Sequence, residues 1–209
     1  GMKIEDLSFT YESKTTVFKN FYFEAEDKYV FFQGLSGCGK STLLKLLTDN
    51  LIPDAGSINF SDSVSIKKCL ILQEDALFPW LSGMQNLTAL LDGITPSEVE
   101  KSIMYDYTKG FIHKKAYQMS FGQRRLIELF RAILLKPTFL CLDEPFNYLD
   151  EKSRRMVSEI LFNEDSFKET KQIVMTTHYY SDITDIVGID YSFFYFNGLM
   201  PYEKLEKRK

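Results

Sequence analysis

The residues Gly34-Leu35-Ser36-Gly37-Cys38-Gly39-Lys40-Ser41-Thr42 have the types and spacing to hold phosphate. They fit the pattern G-x-x-x-x-G-K-[ST], whose glycines let the backbone curl until its N–H groups point inward at phosphate oxygens. Lys40 is placed to reach β- and γ-phosphates, and the Ser41 hydroxyl to ligate Mg²⁺. The strand-like run Tyr29–Gln33 leads straight into this loop and a helical pattern leaves it, which puts the positive end of a helix against the same phosphates. A chance glycine cluster would lack that flanking order. A second candidate is Phe139-Leu140-Cys141-Leu142-Asp143-Glu144, an apolar strand that ends in two carboxylates. In a buried parallel sheet, ligands sit beyond the carboxyl ends of the strands. Asp143 would therefore emerge beside Lys40 and Ser41, where it can hold Mg²⁺ through water. Glu144, one residue further out, is suited to polarise an attacking water. Alone, this segment reads equally well as a strand and a solvated turn. The phosphate loop upstream favours the chemical reading.

These residues need a scaffold, and the pattern supplies one. Lys3–Tyr11, Val17–Phe23 and Tyr29–Gln33 are rich in Phe, Tyr, Val and Ile and read as strands. Ser41–Asp49 carries Leu43, Leu44, Leu46 and Leu47 as an apolar helical stripe. Pro53-Asp54-Ala55-Gly56 is a turn, and short strands are expected at Ser57–Phe60 and Cys69–Leu72. From Ala76 to Lys136 strand signals give way to helical ones, with a helix start at Pro96-Ser97-Glu98 and an amphipathic helix over Gly122–Lys136. Alternation then returns: a strand at Thr138–Leu142, a helix at Glu151–Phe162, a strand at Gln172–Thr176 and a helix at Ser181–Val187. Tyr191–Phe196, Asn197-Gly198 and Leu199 read as a hairpin, and the charged tail Glu203–Lys209 as frayed.

The chain has 209 residues, 44% of them hydrophobic, enough for one sizeable core. The organisation predicted is one domain over 2–209, with a helical subdomain inserted at about 76–136; Gly1 before Met2 reads as a scar of tag removal. A formal net charge of −4 argues against wrapping nucleic acid, which needs a basic surface. No apolar run approaches the roughly 20 residues that span a bilayer, and no charged-then-apolar signal segment opens the chain. Cys38, Cys69 and Cys141 form no Cys-x-x-Cys pair, and His occurs at positions 113 and 178 only, so a structural zinc site is not expected and free thiols are.

Further residues make the chain resemble the ATP-binding cassette family over nearly its whole length. Met119-Ser120-Phe121-Gly122-Gln123 occupies the place of the family signature L-S-G-G-Q. Glu144-Pro145-Phe146-Asn147-Tyr148-Leu149-Asp150 resembles the acidic segment ending in the D-loop aspartate, and Thr176-Thr177-His178 the switch histidine. Gln73 resembles the Q-loop glutamine, and Tyr11 the aromatic that stacks on adenine. Ala76-Leu77-Phe78-Pro79-Trp80-Leu81 is similar to a stretch in cassettes of importers for nitrate, sulfonates and related solutes; it also reads as a hydrophobic docking patch of any kind. The chain departs from the family at Phe121, which replaces a signature glycine, and at Met119. It departs again at Leu126 and Glu128, where an arginine and a small residue are usual, and at Tyr179, where an aspartate is.

The resemblance implies an α/β fold: a P-loop NTPase core with a mixed β-sheet flanked by helices, an N-terminal antiparallel β portion and an inserted helical subdomain. It implies Mg²⁺-dependent ATP hydrolysis with Lys40, Gln73, Glu144 and His178 catalytic. ATP would be held by Tyr11, Gly34, Ser36, Gly37, Cys38, Gly39, Lys40, Ser41, Thr42, Ser120, Gly122, Gln123 and Asp150, and Mg²⁺ by Ser41, Gln73 and Asp143. One phosphate loop and one signature per chain imply a head-to-tail pair with a second copy, closing two identical ATP sites. Separate membrane-spanning permease subunits would receive the motion, which places the chain in the cytoplasm, peripheral on the inner face of the cell membrane. Two other readings stay open: a soluble cassette ATPase outside transport, and a nucleotide-dependent regulator with little hydrolysis. Cys38, beside a helix N-terminus able to lower its pKa, is expected either to be alkylated with protection by ATP or to be a buried, inert residue.

Overall fold

The structure, a computed structural model, describes residues 1–61, 65–89, 93–163, 165–178 and 188–208. The helix expected at Ser181–Val187 and the departure at Tyr179 lie outside the described residues. The chain divides into two compact units. The first comprises Gly1–Leu70, Thr138–Glu144 and Thr170–Lys209; the second comprises Ile71–Pro137 and Pro145–Glu169.

The first unit contains an antiparallel sheet of order β2-β1-β4, made of β1 (Met2–Thr10), β2 (Thr16–Ala25) and β4 (Ala55–Phe60). In β1 the buried residues are Met2 and Ile4, then Leu7 and Phe9. The change of phase comes at a register shift between Ile4 and Leu7, where Asp6 takes φ 50°. A bulge of this kind inserts one residue and returns the next apolar pair to the core face. Gly56 opposite has φ 90°, and a Cβ there would lie 2.3 Å from the Asp6 carbonyl oxygen, so only glycine fits.

The larger sheet has the order β5-β6-β7-β3-β8-β9, with β3 (Tyr29–Gln33), β5 (Lys68–Ile71), β6 (Phe139–Leu142), β7 (Gln172–Thr177), β8 (Tyr191–Tyr195) and β9 (Glu206–Arg208). β6, β7, β3 and β8 run parallel, and β9 closes the edge antiparallel to β8. Every residue of β6 and β7 is buried, as are the first four of β3. Parallel strands covered on both faces read as unbroken apolar runs, which is why these segments do not alternate. Helix α1 (Lys40–Leu47) buries Leu43, Leu44, Leu46 and Leu47 in a phenylalanine-rich core that includes Phe18, Phe21 and Phe32. Burying one such side chain contributes about 1.5–3 kcal/mol.

Two expectations fail at the C-terminal end. The strand returning against β8 is not Leu199 onward but Glu206–Arg208, and the charged tail is paired rather than frayed. An edge strand tolerates charge because one face meets water. Arg208 also lies over the Tyr195 ring, 3.8 Å from its centroid. Between these strands Tyr202 is buried and joins β2 through Tyr202 N–H to Val17 O (2.8 Å) and Lys19 N–H to Tyr202 O (3.1 Å).

The second unit is helical among its described residues: α2 (Gly83–Thr88), α3 (Pro96–Lys101), α4 (Tyr105–Thr108), α5 (Phe121–Leu135) and α6 (Glu151–Leu161). α2, α3 and α5 each open on a capping box, Ser82 with Gln85, Thr95 with Glu98 and Ser120 with Gln123. Each box satisfies two backbone donors reciprocally. No separate signal in the sequence marks α2 and α4, which are six and four residues long and carry no long apolar period.

Candidate functional site

Helix α1 begins differently from the boxed helices. Its N-cap is Gly39, at φ 106°, with no capping side chain and no carboxylate in the first turn. Its first amide groups are therefore not satisfied by a side chain, an arrangement that suits an anion. The preceding loop turns at Gly37, φ 78°, where a Cβ would meet nothing but where a side chain would strain the backbone. Tyr202 holds the loop from behind: its hydroxyl donates to the Cys38 carbonyl at 2.6 Å and accepts from Gly198 N–H at 3.0 Å.

The parallel order β6-β7-β3 brings three strand ends to this loop. Lys40, 3% exposed, donates to the carbonyls of Gly34 and Thr177 and lies 3.1 Å from Glu144 Oε1. Glu144 Oε1 is also 2.5 Å from His178 Nε2, and that ring nitrogen is 3.2 Å from Ser36 Oγ. Ser41 Oγ donates to Asp143 Oδ2 at 2.7 Å. Thr176 Oγ1 donates to Asp143 Oδ1 at 2.7 Å and accepts from Glu144 N–H at 2.8 Å. Glu144 adopts φ 50°, a conformation uncommon outside glycine; it turns the chain out of β6 with the carboxylate kept inside. A hydroxyl and a carboxylate in contact offer hard oxygen donors, so Ser41 and Asp143 fit a Mg²⁺ ion. Thr42 is buried, and its hydroxyl bonds that of Tyr11. Tyr11 is half-buried with its ring edge-on to Phe9, centroids 4.9 Å apart.

The remaining candidates belong to the second unit. Ser120 is the N-cap of α5: its Oγ accepts from Gln123 N–H at 3.2 Å, while Gln123 Oε1 accepts from Ser120 N–H at 3.0 Å. At Gly122 a Cβ would lie 2.3 Å from Ser153 Oγ and 2.9 Å from Ser153 Cβ, so any larger residue would force α5 or Ser153 of α6 to shift. Asp150 caps α6 through Ser153 N–H at 2.7 Å, and that backbone bond, then the Ser153 side chain, lowers its carboxyl below the usual range. Phe121 packs edge-on against exposed Tyr148, centroids 6.0 Å apart. Gln73 is half-buried, and its carbonyl accepts from Arg125 Nη2 at 2.6 Å.

The sequence pattern of the ABC transporter family matches residues 19–147. The chain belongs to that family. It is an ATP-binding, ATP-hydrolysing cassette. The aliphatic sulfonates import ATP-binding protein SsuB of Bacillus subtilis is 33% identical over 186 residues, which cover 84% of this chain and 72% of that protein. The taurine import ATP-binding protein TauB of Pseudomonas aeruginosa is 32% identical, over 75% of this chain and 65% of that protein. Among solved structures, the dimeric structure of a bacterial ABC transporter cassette superimposes with a TM-score of 0.78 at 19% identity, covering 100% of this chain and 98% of that one.

The structure bears on the two readings left open for Cys38 and adds two residues. Cys38 is buried, and burial pushes its thiol up from the ordinary value despite the opposing influence of Lys40. Proximity to the α1 N-terminus does not offset that desolvation, so the inert reading replaces the reactive one. Brief alkylation of the native cassette should label Cys69, which is partly exposed, before buried Cys38 and Cys141. Mass spectrometry of the labelled peptides checks this, and early labelling of Cys38 would overturn it. Thr176 and Tyr202 were missed as site residues. A signal for Thr176 existed, since Thr176-Thr177 ends the buried apolar run Ile173–Met175 with two hydroxyls. Tyr202 gave none, because its role depends on a tail that folds back onto β2.

Proposed function

We propose that this cassette binds Mg-ATP through the phosphate loop and the carboxylate-ended strand β6, pairs with a second copy, and powers import of a small solute through separate membrane subunits. The observation that carries this reading is the meeting of Lys40, Glu144 and His178 beside the Ser41–Asp143 pair. Glu144 is held by Lys40 on one side and His178 on the other. The γ-phosphate competes for Lys40, and transfer of that contact releases the carboxylate to orient and deprotonate the attacking water. His178 then stabilises charge on the γ-phosphate, and Tyr11 offers its ring to the adenine. Ser41 and Asp143 would hold Mg²⁺, which would supply electrostatic stabilisation of the phosphate oxygens, and Gln73 keeps the catalytic part that the family resemblance implies. Ser120, Gly122, Gln123 and Asp150 of the second copy complete the site. A steady-state ATPase assay with and without Mg²⁺ tests the reaction; activity undiminished by chelator would reject the metal role.

Import is supported by the relatives named for sulfonate and taurine import. No helix among the described residues is long and apolar enough to cross a membrane. The contact surface we assign to the membrane subunits is the Phe78–Leu81 loop. Trp80 is 63% exposed, edge-on to Phe78 with centroids 5.3 Å apart. Buried Asn86 ties the loop together: it accepts from Phe78 N–H at 2.8 Å, and its two Nδ2 hydrogens are shared among the carbonyls of Phe78 (3.2 Å), Leu81 (3.3 Å) and Ser82 (3.0 Å). A solvent-exposed tryptophan on a fixed loop is suited to anchor a partner. Trp80→Ala should leave the isolated ATPase and its melting point near wild type, and weaken assembly by about 2 kcal/mol or more. A pull-down retaining full membrane-subunit binding would rule this surface out.

A further inference from the structure

Helix α5 carries a charged pair where charge is costly. Arg125 is 1% exposed and Glu128 is 2% exposed, with Nη1 to Oε1 at 3.0 Å. Burial pushes the Glu128 carboxyl up to about 7, against the opposing influence of Arg125 and Arg131. A pair whose carboxylate is this reluctant to ionise is a poor source of stability, and apolar residues of similar volume commonly serve as well or better. Its geometry offers another reason for its presence. Arg125 Nη1 donates to the Leu72 carbonyl at 3.0 Å and Nη2 to the Gln73 carbonyl at 2.6 Å. Glu128 Oε2 accepts from Ala76 N–H at 3.3 Å. Next to it, Arg124 Nε bonds Asp75 Oδ2 at 2.9 Å. Four of the five residues from Leu72 to Ala76 are thus fastened to α5, and α5 is the helix that Ser120 caps.

We propose that Arg125 and Glu128 are positioning residues: their buried pair clamps the backbone around Gln73 to the signature helix and so sets where the Gln73 side chain stands. This rests on the role given above to Gln73. Arg125 acts as a planar fork whose two terminal nitrogens reach successive carbonyls, something a lysine ammonium cannot reproduce. Glu128 fixes the fork's rotamer from the turn below and takes up the Ala76 amide. Displacement of the loop relative to α5 therefore breaks charge-assisted bonds in a buried setting, so the loop and the helix move together.

The test uses the full-length cassette and an epistasis cycle. Removing one partner would strand a buried charge and risk the fold, so both are replaced in Arg125→Met/Glu128→Leu, with Arg125→Lys as a milder second variant. The double replacement should keep ATP affinity, and its melting point should lie within a few degrees of wild type. Its kcat should fall by about tenfold or more, the effect expected when a reacting geometry loosens by a fraction of an ångström. Arg125→Lys should fall in between. Combined with Gln73→Ala, the double replacement should cost nothing further, because both act through one side chain. A purely structural pair would instead lower kcat by the same factor in both backgrounds, and that result would overturn the proposal. So would a double replacement with wild-type kcat when Gln73→Ala is impaired. If Gln73→Ala itself turns over at the wild-type rate, the role of Gln73 fails and the clamp with it. The outcomes thus separate the two readings.

Discussion

Glu144→Gln is expected to reduce steady-state ATP turnover by about a hundredfold or more while leaving nucleotide binding intact. The carboxylate is 6% exposed and touches both Lys40 and His178 through the same oxygen, at 3.1 and 2.5 Å. An amide keeps the volume and can still accept from Lys40, so the loop should stay in place. What it loses is the capacity to take a proton from water. The variant should accumulate as an ATP-bound pair of copies, visible as a shift to larger size by chromatography with Mg-ATP. Turnover at the wild-type rate would remove Glu144 from the mechanism.

The second large effect is expected at Lys40. Lys40→Ala should weaken ATP binding by about a hundredfold, roughly 3 kcal/mol, since a charge-assisted contact to phosphate is lost. It should also lower thermal stability, because Glu144 is then left buried with one cation fewer beside it. Pairing Lys40→Met with Glu144→Gln separates the two effects. The double variant should recover the melting point and still fail to bind ATP. Unchanged affinity in Lys40→Ala would refute the phosphate-loop assignment; so would binding restored by the double variant.

Much of the scaffold was legible because its signals are local. The apolar runs of β3, β6 and β7 and the stripe of α1 announce themselves within a few residues, and their observed bounds fall within two residues of those expected. That Lys40, Ser41, Asp143 and Glu144 come together was legible because loop and strand-end chemistry demand particular residue types at particular places. Tyr202 and the Arg125–Glu128 pair were harder. Each acts on a backbone carbonyl, and any residue type carries one, so no pattern marks the partner. The Cys38 thiol stayed open between two readings for a related reason: sequence shows a helix N-terminus next door but not how much water has been excluded. The β8 partner was misplaced because Asn197-Gly198 has good turn chemistry, while the real pairing to Glu206–Arg208 passes through Tyr202 and its contacts with β2.

The strand order of the larger sheet bears on synthesis as well as on chemistry. β3 lies between β7 and β8, so Tyr29 finds both of its neighbours, Ile173 and Tyr191, near the far end of the chain. Pairings this distant in sequence close large loops before any contact rewards them, which slows folding. On the ribosome, the phosphate loop emerges early but waits for β7 to supply the Thr177 carbonyl to Lys40 and for the tail to supply Tyr202 to Cys38. A nascent chain halted before residue 172 would expose the apolar edges of β3 and β6 without a finished nucleotide pocket. Nucleotide can therefore steady this cassette only once β7 and Tyr202 have been made, and until then the half-built sheet keeps unpaired apolar strand edges that invite aggregation.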